Sequence, residues 1–420
     1  MIKRFSIQNF KALQMKEELC FSPKLTVLIG LNGSGKSTVL QAIDFACTLA
    51  RSEGLTAWLG RRGWQMNDLV TRLSGGPAPR NTPKTISFSL SVEDAEGPAY
   101  DWEAHFYTPE GRCTSELLTE AGERIFKLDK RVAVYRGNGG KQERYDTHEL
   151  TYTGSLLSVW APASLRPAGE ALTRCSTLDL LAPNLMKAHT RRRSVQGVGM
   201  GGEYIAPFLQ SLSPADRDTF NETVHSFFPT YHGYKVRRIQ GGAMVLFVEE
   251  RYSDGSTYTG EATMLCDGML RVLAIVAQCF ACRGGTLLID ELEDGLNPEL
   301  LAKMIEYLST DAPCQTIITT HSPLVLSLMT IEEAEKGVYL VYKKDGISRC
   351  TPFFRLRTPA RMLDTHYPGE VMLRCNLEDL SREACEHEST VPLRGRHLRF
   401  RHTRGTAFRG SRGDCAPPSD

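Results

Sequence analysis

The sequence predicts a two-lobed α/β fold with a mixed central sheet, an antiparallel side sheet and a helical insertion. Three observations predict it. Residues 2–10 and Leu25–Ile29 read as strands, and the second leads through a glycine-rich turn into a helical period over Ser37–Ala50. Strands and helices alternate again from Leu265 to about residue 350. Between these stretches lie several short alternating segments, followed by helical periods.

Each element has its own reason. Residues 2–10 alternate apolar and polar side chains. Leu25–Ile29 is a short apolar run that stops at glycine. Val39, Leu40, Ile43, Ala46 and Leu49 recur at helical spacing. Ser74–Lys84 (SGGPAPRNTPK) is loop chemistry and a boundary. Thr85–Val92, Tyr100–Tyr107, Arg124–Leu128 and Arg131–Tyr135 alternate and suggest a small antiparallel sheet. Helical patterning is read around Leu172–Leu181 and over Pro214–Phe228. Lys235–Ile239 and Met244–Glu249 flank a Gln-Gly-Gly-Ala turn and predict a hairpin.

The second α/β stretch predicts a helix at Met269–Cys282, a strand at Thr286–Ile289 and a helix at Pro298–Leu308. A strand at Thr316–Thr319, a helix at Leu324–Met329 and a hairpin of Val338–Lys343 with Gly346–Cys350 follow. The expected divisions are a first half of the core at 1–73, an antiparallel subdomain at 74–160 and a mostly helical insertion with its hairpin at 161–261. The second half of the core is expected at 262–355 and a C-terminal extension at 356–389. Residues 390–420, where arginines interleave with Gly, Ser and Pro, are expected to be a disordered tail.

Composition narrows the class. Of 420 residues, 41% are hydrophobic and 24% charged, which excludes whole-chain disorder, collagen-like repeats and heptad rods. Lys plus Arg number 50 against 49 Asp plus Glu, so no global basic field argues for nucleic acid. The longest apolar candidate, Met269–Cys282, is interrupted by Arg271 and Gln278 and is too short to span a bilayer. The N-terminus lacks the apolar region of a secretory signal. Cys279–Cys282 is the sole Cys-x-x-Cys and has no second pair. The cysteines read as reduced core thiols of a cytoplasmic protein, without a disulfide frame or zinc site.

Gly30-Leu-Asn-Gly-Ser-Gly-Lys-Ser37 fits the P-loop pattern G-x-x-x-x-G-K-[ST], with a strand before it and a helix after it. Glycines permit backbone geometry in which successive N–H groups point at phosphate. The helix N-terminus adds a favourable dipole. The candidate nucleotide cradle is Gly30, Asn32, Gly33, Ser34, Gly35, Lys36, Ser37 and Thr38. Lys36 is expected to bridge the β- and γ-phosphates, and Ser37 to ligate Mg²⁺. The apolar strand Thr286–Ile289 ends in Asp290 and Glu291, the Walker B chemistry. Asp290 is expected in the magnesium shell and Glu291 as the general base.

Three further segments carry a family resemblance. Leu265-Cys-Asp-Gly-Met-Leu-Arg271 resembles the signature loop of ABC-type ATPases in their SMC-like and RecF-like branch. Glu293-Asp-Gly-Leu-Asn-Pro298 resembles the D-loop, and Thr320-His-Ser-Pro323 the switch-histidine motif. Asn9-Phe10-Lys11 resembles the opening Asn-Phe-Lys. The chain thus resembles the SMC/RecF-like AAA (ABC-type) P-loop ATPases, a group that includes subunits of DNA-repair and anti-phage defence systems.

The resemblance implies an ABC/SMC-head-like fold and an ATPase with Mg²⁺. It also implies a homodimer with composite sites, in which Asp267 and Gly268 face the partner's γ-phosphate and His321 senses it. DNA and a separate nuclease or effector subunit are implied partners. Cys266 departs from the usual serine, and a thiol is the weaker hydrogen-bond donor. Two other readings stay open: a nucleotide-gated scaffold with little turnover, and the nucleotide-binding subunit of a membrane transporter. Neither an Asn-Lys-x-Asp guanine motif nor a Toprim-type acidic pattern appears.

Overall fold

The structure, a computed structural model, describes residues 1–390 other than 16, 53, 72–83, 94–96, 138, 180 and 192–194. The expected boundary loop, Lys84 apart, and the arginine-rich tail beyond 390 lie outside the described residues.

A six-stranded mixed sheet forms the centre, in the order Cys175–Leu178, Thr286–Ile289, Gln315–Thr319, Leu25–Ile29, Val338–Lys344 and Ile347–Pro352. The first five strands are parallel and the last is antiparallel. The central strands are buried along their whole length because both faces are covered. Leu25, Val27 and Ile29 enter one core with Leu287, Ile289 and Ile318. Leu28, Leu288 and Ile317 point the other way, into a second core.

The second core is shared with an eight-stranded antiparallel sheet. The P-loop helix, Lys36–Leu49, fills the space between the sheets and is buried nearly all round. Its Phe45 packs on Phe10, Trp58 and, edge to face, Phe106, with ring centroids 5.2, 5.8 and 5.3 Å apart. Gln315 staples the two sheets together. Its Nε2 donates to the carbonyls of Ile2 (2.8 Å) and Ser22 (2.7 Å). Its Oε1 accepts from the Ile2 N–H (2.8 Å) and the Thr286 hydroxyl (2.8 Å).

Some expectations need correction. The first strand, Ile2–Gln8, does not join the central sheet; it pairs with Thr85–Glu93 in the antiparallel one. Helical patterning around Leu172–Leu181 is also overturned. The helix Arg166–Thr173 stops there, and Cys175–Leu178 becomes a strand parallel to Thr286–Ile289. Pairing with a buried neighbour outweighs local helical spacing here. Two strands of the side sheet, Arg112–Glu120 and Gln142–Asp146, had no sequence signal. Gln142–Asp146 is exposed at every residue, so no alternation marks it. The predicted hairpin is present, but Thr257–Glu261 adds a third strand. The C-terminal extension is helical, at Arg357–Leu363, Pro368–Arg374 and Leu377–Thr390.

Candidate functional site

Parallel strands deliver their C-terminal ends to one edge of a sheet, and ligands bind there. Leu25–Ile29 ends in the P-loop, Thr286–Ile289 in Asp290-Glu291, and Gln315–Thr319, which lies between them, in Thr320-His321. The sheet order therefore brings three of the sequence motifs together.

The P-loop has the backbone its glycines allow. Gly33 and Gly35 have φ of 72° and 110°, a region closed to most side chains. A Cβ on Gly30 would lie 2.2 Å from the Val341 carbonyl oxygen, so only glycine fits against that neighbouring strand. Leu31, Asn32 and Gly33 form the exposed tip. Ser34 is buried, and its hydroxyl has no hydrogen-bond partner among the described residues. Lys36 is buried too; its Nζ donates to the carbonyls of Gly30 (3.1 Å) and Leu31 (3.3 Å). Burial pulls its pKa below the ordinary range, opposed by the nearby carboxylates of Asp290, Glu291 and Glu293. A buried cation held by carbonyls, beside an orphaned hydroxyl and open glycine backbone, fits a polyphosphate. Ser37 and Thr38 open the helix, half-buried on its first turn.

Across the sheet edge, one hydroxyl organises the acids. Thr319 Oγ1 donates to Asp290 Oδ1 (2.5 Å) and accepts from the Glu291 N–H (2.8 Å). Glu291 has φ of 48°, unusual for a residue with a side chain. The Glu293 carboxylate accepts from the His321 N–H at 2.5 Å, leaving the imidazole exposed. Asp290 and Ser37 supply hard oxygen donors suited to Mg²⁺. Lys36, Glu291 and His321 surround the same edge.

The signature segment is set apart from this cluster. Cys266 caps the helix Asp267–Ala281 with extended backbone but makes no side-chain capping bond. Asp267 is exposed and pairs with Lys187 at 2.9 Å, not with a P-loop residue. Gly268 packs beside Gly295 of the D-loop. Buried Arg271 binds Asp294 at 2.9 Å, which ties the signature helix to the D-loop. Lys11 lies over the Trp64 ring, 3.1 Å from its centroid, and donates to Gln41 of the P-loop helix at 3.0 Å. Burial, with help from Arg62, lowers its pKa to about 8.

The model of one protein family matches residues 25–327, from the start of the P-loop strand to the end of the helix after His321. The chain belongs to the AAA domain family described as putative AbiEii toxin, Type IV TA system. Its fold and motifs are those of the SMC/RecF-like P-loop ATPases. A stretch covering 40% of this AAA chain is 32% identical to the chromosome partition protein Smc of Synechocystis sp.. A stretch covering 35% is 32% identical to that of Synechococcus sp.. These stretches span only 13% and 12% of the two relatives. The crystal structure of an Smc head bound to the C-winged helix domain of ScpA matches with a TM-score of 0.53 at 15% identity. The match covers 83% of the AAA chain and 97% of that one, a likeness of fold.

Several residues of this AAA site carried no sequence signal. Thr319 looked like the last residue of an apolar strand. Asp179 follows the strand Cys175–Leu178, whose local spacing suits a helix, so its place near Asp290 carries no sequence signal. There Arg62 bridges Asp179 (2.5 Å) and Asp44 (3.0 Å), and Trp58 Nε1 donates to Asp44 (2.6 Å). Burial raises the Asp179 pKa to about 6, although Arg62 opposes the shift. Among the described residues no helix is long and apolar enough to cross a membrane.

Proposed function

We propose that this chain binds Mg²⁺-ATP on Gly30–Thr38 and hydrolyses it in a site completed by a second copy. The observation that carries the reading is the strand order. It sets the buried Lys36 and the Thr319-linked acids at one sheet edge, with the His321 strand between them. In this reading the P-loop N–H groups and Lys36 hold the phosphates, and Ser37 and Asp290 hold the metal. Bound Mg²⁺ supplies charge neutralisation on the phosphate oxygens. Glu291 accepts the proton of the attacking water, and His321 orients the terminal phosphate.

Asp267 and Gly268 act on the partner's nucleotide. Their separation from the P-loop of their own chain, and the exposure of Cys266 and Asp267, support that assignment. Closure of two copies is the mechanical output. It passes to DNA or to a separate effector protein in a repair or phage-defence setting in the cytoplasm. The match to an AAA domain family and the likeness to Smc support this reading over a transporter subunit.

A nucleotide-gated scaffold is the second reading, and one observation favours it. Cys266 leaves the signature helix without a capping bond, which weakens the element that would close on the partner's phosphate. The test is Mg²⁺-ATPase turnover over a protein concentration series, with and without double-stranded DNA and with Glu291→Gln as control. A specific rate that rises with concentration and vanishes in the variant supports the composite ATPase. Stimulation by DNA supports the DNA-linked output. ATP binding with a flat rate that the variant does not alter moves the assignment to the scaffold.

A further inference from the structure

Thr319 belongs to none of the motifs, yet its side chain sits at their junction. It is wholly buried at the end of the strand between the P-loop strand and the acid strand. Its hydroxyl has one proton, and the geometry fixes where that proton goes. The Glu291 N–H donates to Oγ1 at 2.8 Å, so Oγ1 is the acceptor there. The proton then points to Asp290 Oδ1, 2.5 Å away. The Thr319 carbonyl also accepts from the Leu292 N–H at 3.2 Å. Three consecutive residues, Asp290, Glu291 and Leu292, are therefore tied to this one threonine.

Each tie has a consequence. One oxygen of Asp290 is engaged, so its carboxylate is held in a single orientation with the other oxygen left for metal or water. Glu291 turns the chain with φ of 48°, a left-handed conformation that is costly for a residue with a Cβ. The hydrogen bond that its N–H donates to Thr319 offsets that cost and holds the turn from which the Glu291 side chain departs. The next residues on the Thr319 strand, Thr320 and His321, carry the switch motif. His321 is joined to the acid strand by Glu293. The link thus runs between the two strand ends that the reaction needs in register.

We propose that Thr319 is a positioning residue for ATP hydrolysis: its hydroxyl sets the Asp290 carboxylate and the Glu291 backbone turn together. The inference rests on the ATPase reading, and its test separates the two. Thr319→Val keeps the shape and removes the hydroxyl; Thr319→Ser keeps the hydroxyl. Two quantities are measured for each: kcat and KM for Mg²⁺-ATP, and ATP affinity with Mg²⁺ against affinity in EDTA, with Lys36→Ala as the non-binding reference.

In Thr319→Val, kcat is expected to fall about tenfold to a hundredfold. The gain in affinity from Mg²⁺ should shrink about threefold or more, with affinity in EDTA within about twofold of the parent. Thr319→Ser should restore both quantities. Wild-type kcat and Mg²⁺ enhancement in Thr319→Val would overturn the proposal. So would a serine variant no better than valine, because packing alone would then explain the residue. If the parent chain turns over no ATP, the hydrolysis reading falls, and the Mg²⁺ enhancement by itself decides the role of Thr319.

Discussion

The two large sheets of this molecule solve different problems. The six-stranded sheet is mostly parallel, is buried on both faces and sends its chemistry out through loops at one edge. The eight-stranded sheet grows by antiparallel pairing, largely between neighbours in sequence, and its residues alternate between core and solvent. In the first, a strand's order in the sheet determines which residues meet. In the second, each strand's partner is largely set by the turn before it. The lesson is that the candidate-site edge depends on long-range order, whereas the side sheet is a support assembled locally. Even the support holds one buried acid. Glu116 accepts from Trp102 Nε1 (3.1 Å), the Ser155 hydroxyl (2.5 Å) and the Leu156 N–H (2.9 Å). Burial raises its pKa from 4.5 to about 7.

The sharpest way to separate the two sheets is Glu291→Gln. Turnover is expected to drop about a thousandfold, with ATP affinity nearly unchanged and unfolding midpoint within about 2 °C of the parent. A steady-state assay paired with a thermal melt checks this; an equal loss of affinity would mean that Glu291 supports binding rather than chemistry. Next is the joint between the sheets. Gln315→Leu leaves the Ile2 and Ser22 carbonyls without their buried donor and should cost about 2–3 kcal/mol in urea unfolding. A loss below about 0.5 kcal/mol would show that the sheets hold together by apolar packing alone.

The side sheet should report pH through its buried acid, Glu116. A carboxyl with a raised folded-state pKa binds its proton more tightly in the folded state. Glu116 therefore makes stability fall as pH rises from about 4.5 through about 7. The contribution is about 1 kcal/mol per pH unit, and Glu116→Gln should remove that slope from unfolding curves measured over this window. The smallest effect belongs to Cys266→Ser. A serine hydroxyl can accept from the first-turn N–H groups that the thiol leaves uncapped, adding about 1 kcal/mol to the helix Asp267–Ala281. If dimer closure limits the rate, turnover at low protein concentration rises several-fold; an unchanged rate would place the limit elsewhere.

Most of the candidate site was legible because its motifs are local. Gly30–Ser37, Asp290-Glu291 and Thr320–Pro323 each occupy a few consecutive residues at a strand end, where spacing and residue type suffice. Strands with both faces buried were legible for the same reason. Leu25–Ile29 and Thr286–Ile289 have the predicted limits because an unbroken apolar run leaves little choice. Cys175–Leu178 was not legible, since its short mixed pattern suits a helix equally well. Gln142–Asp146 was not, since it buries nothing.

The sequence by itself determined that a glycine loop would join a strand to a helix and that a second strand would end in two acids. Those facts depend on backbone freedom and side-chain charge, which are properties of the residues. Only the tertiary structure decided that Ile2–Gln8 joins the side sheet and that Gln315 fastens that strand to the core. It alone placed Thr319 against Asp290 and Glu291 and brought Asp179 near Asp290. Each of these is a pairing between residues far apart in the chain. Its stability comes from burial and hydrogen bonding across the fold, and no short window of sequence carries that information.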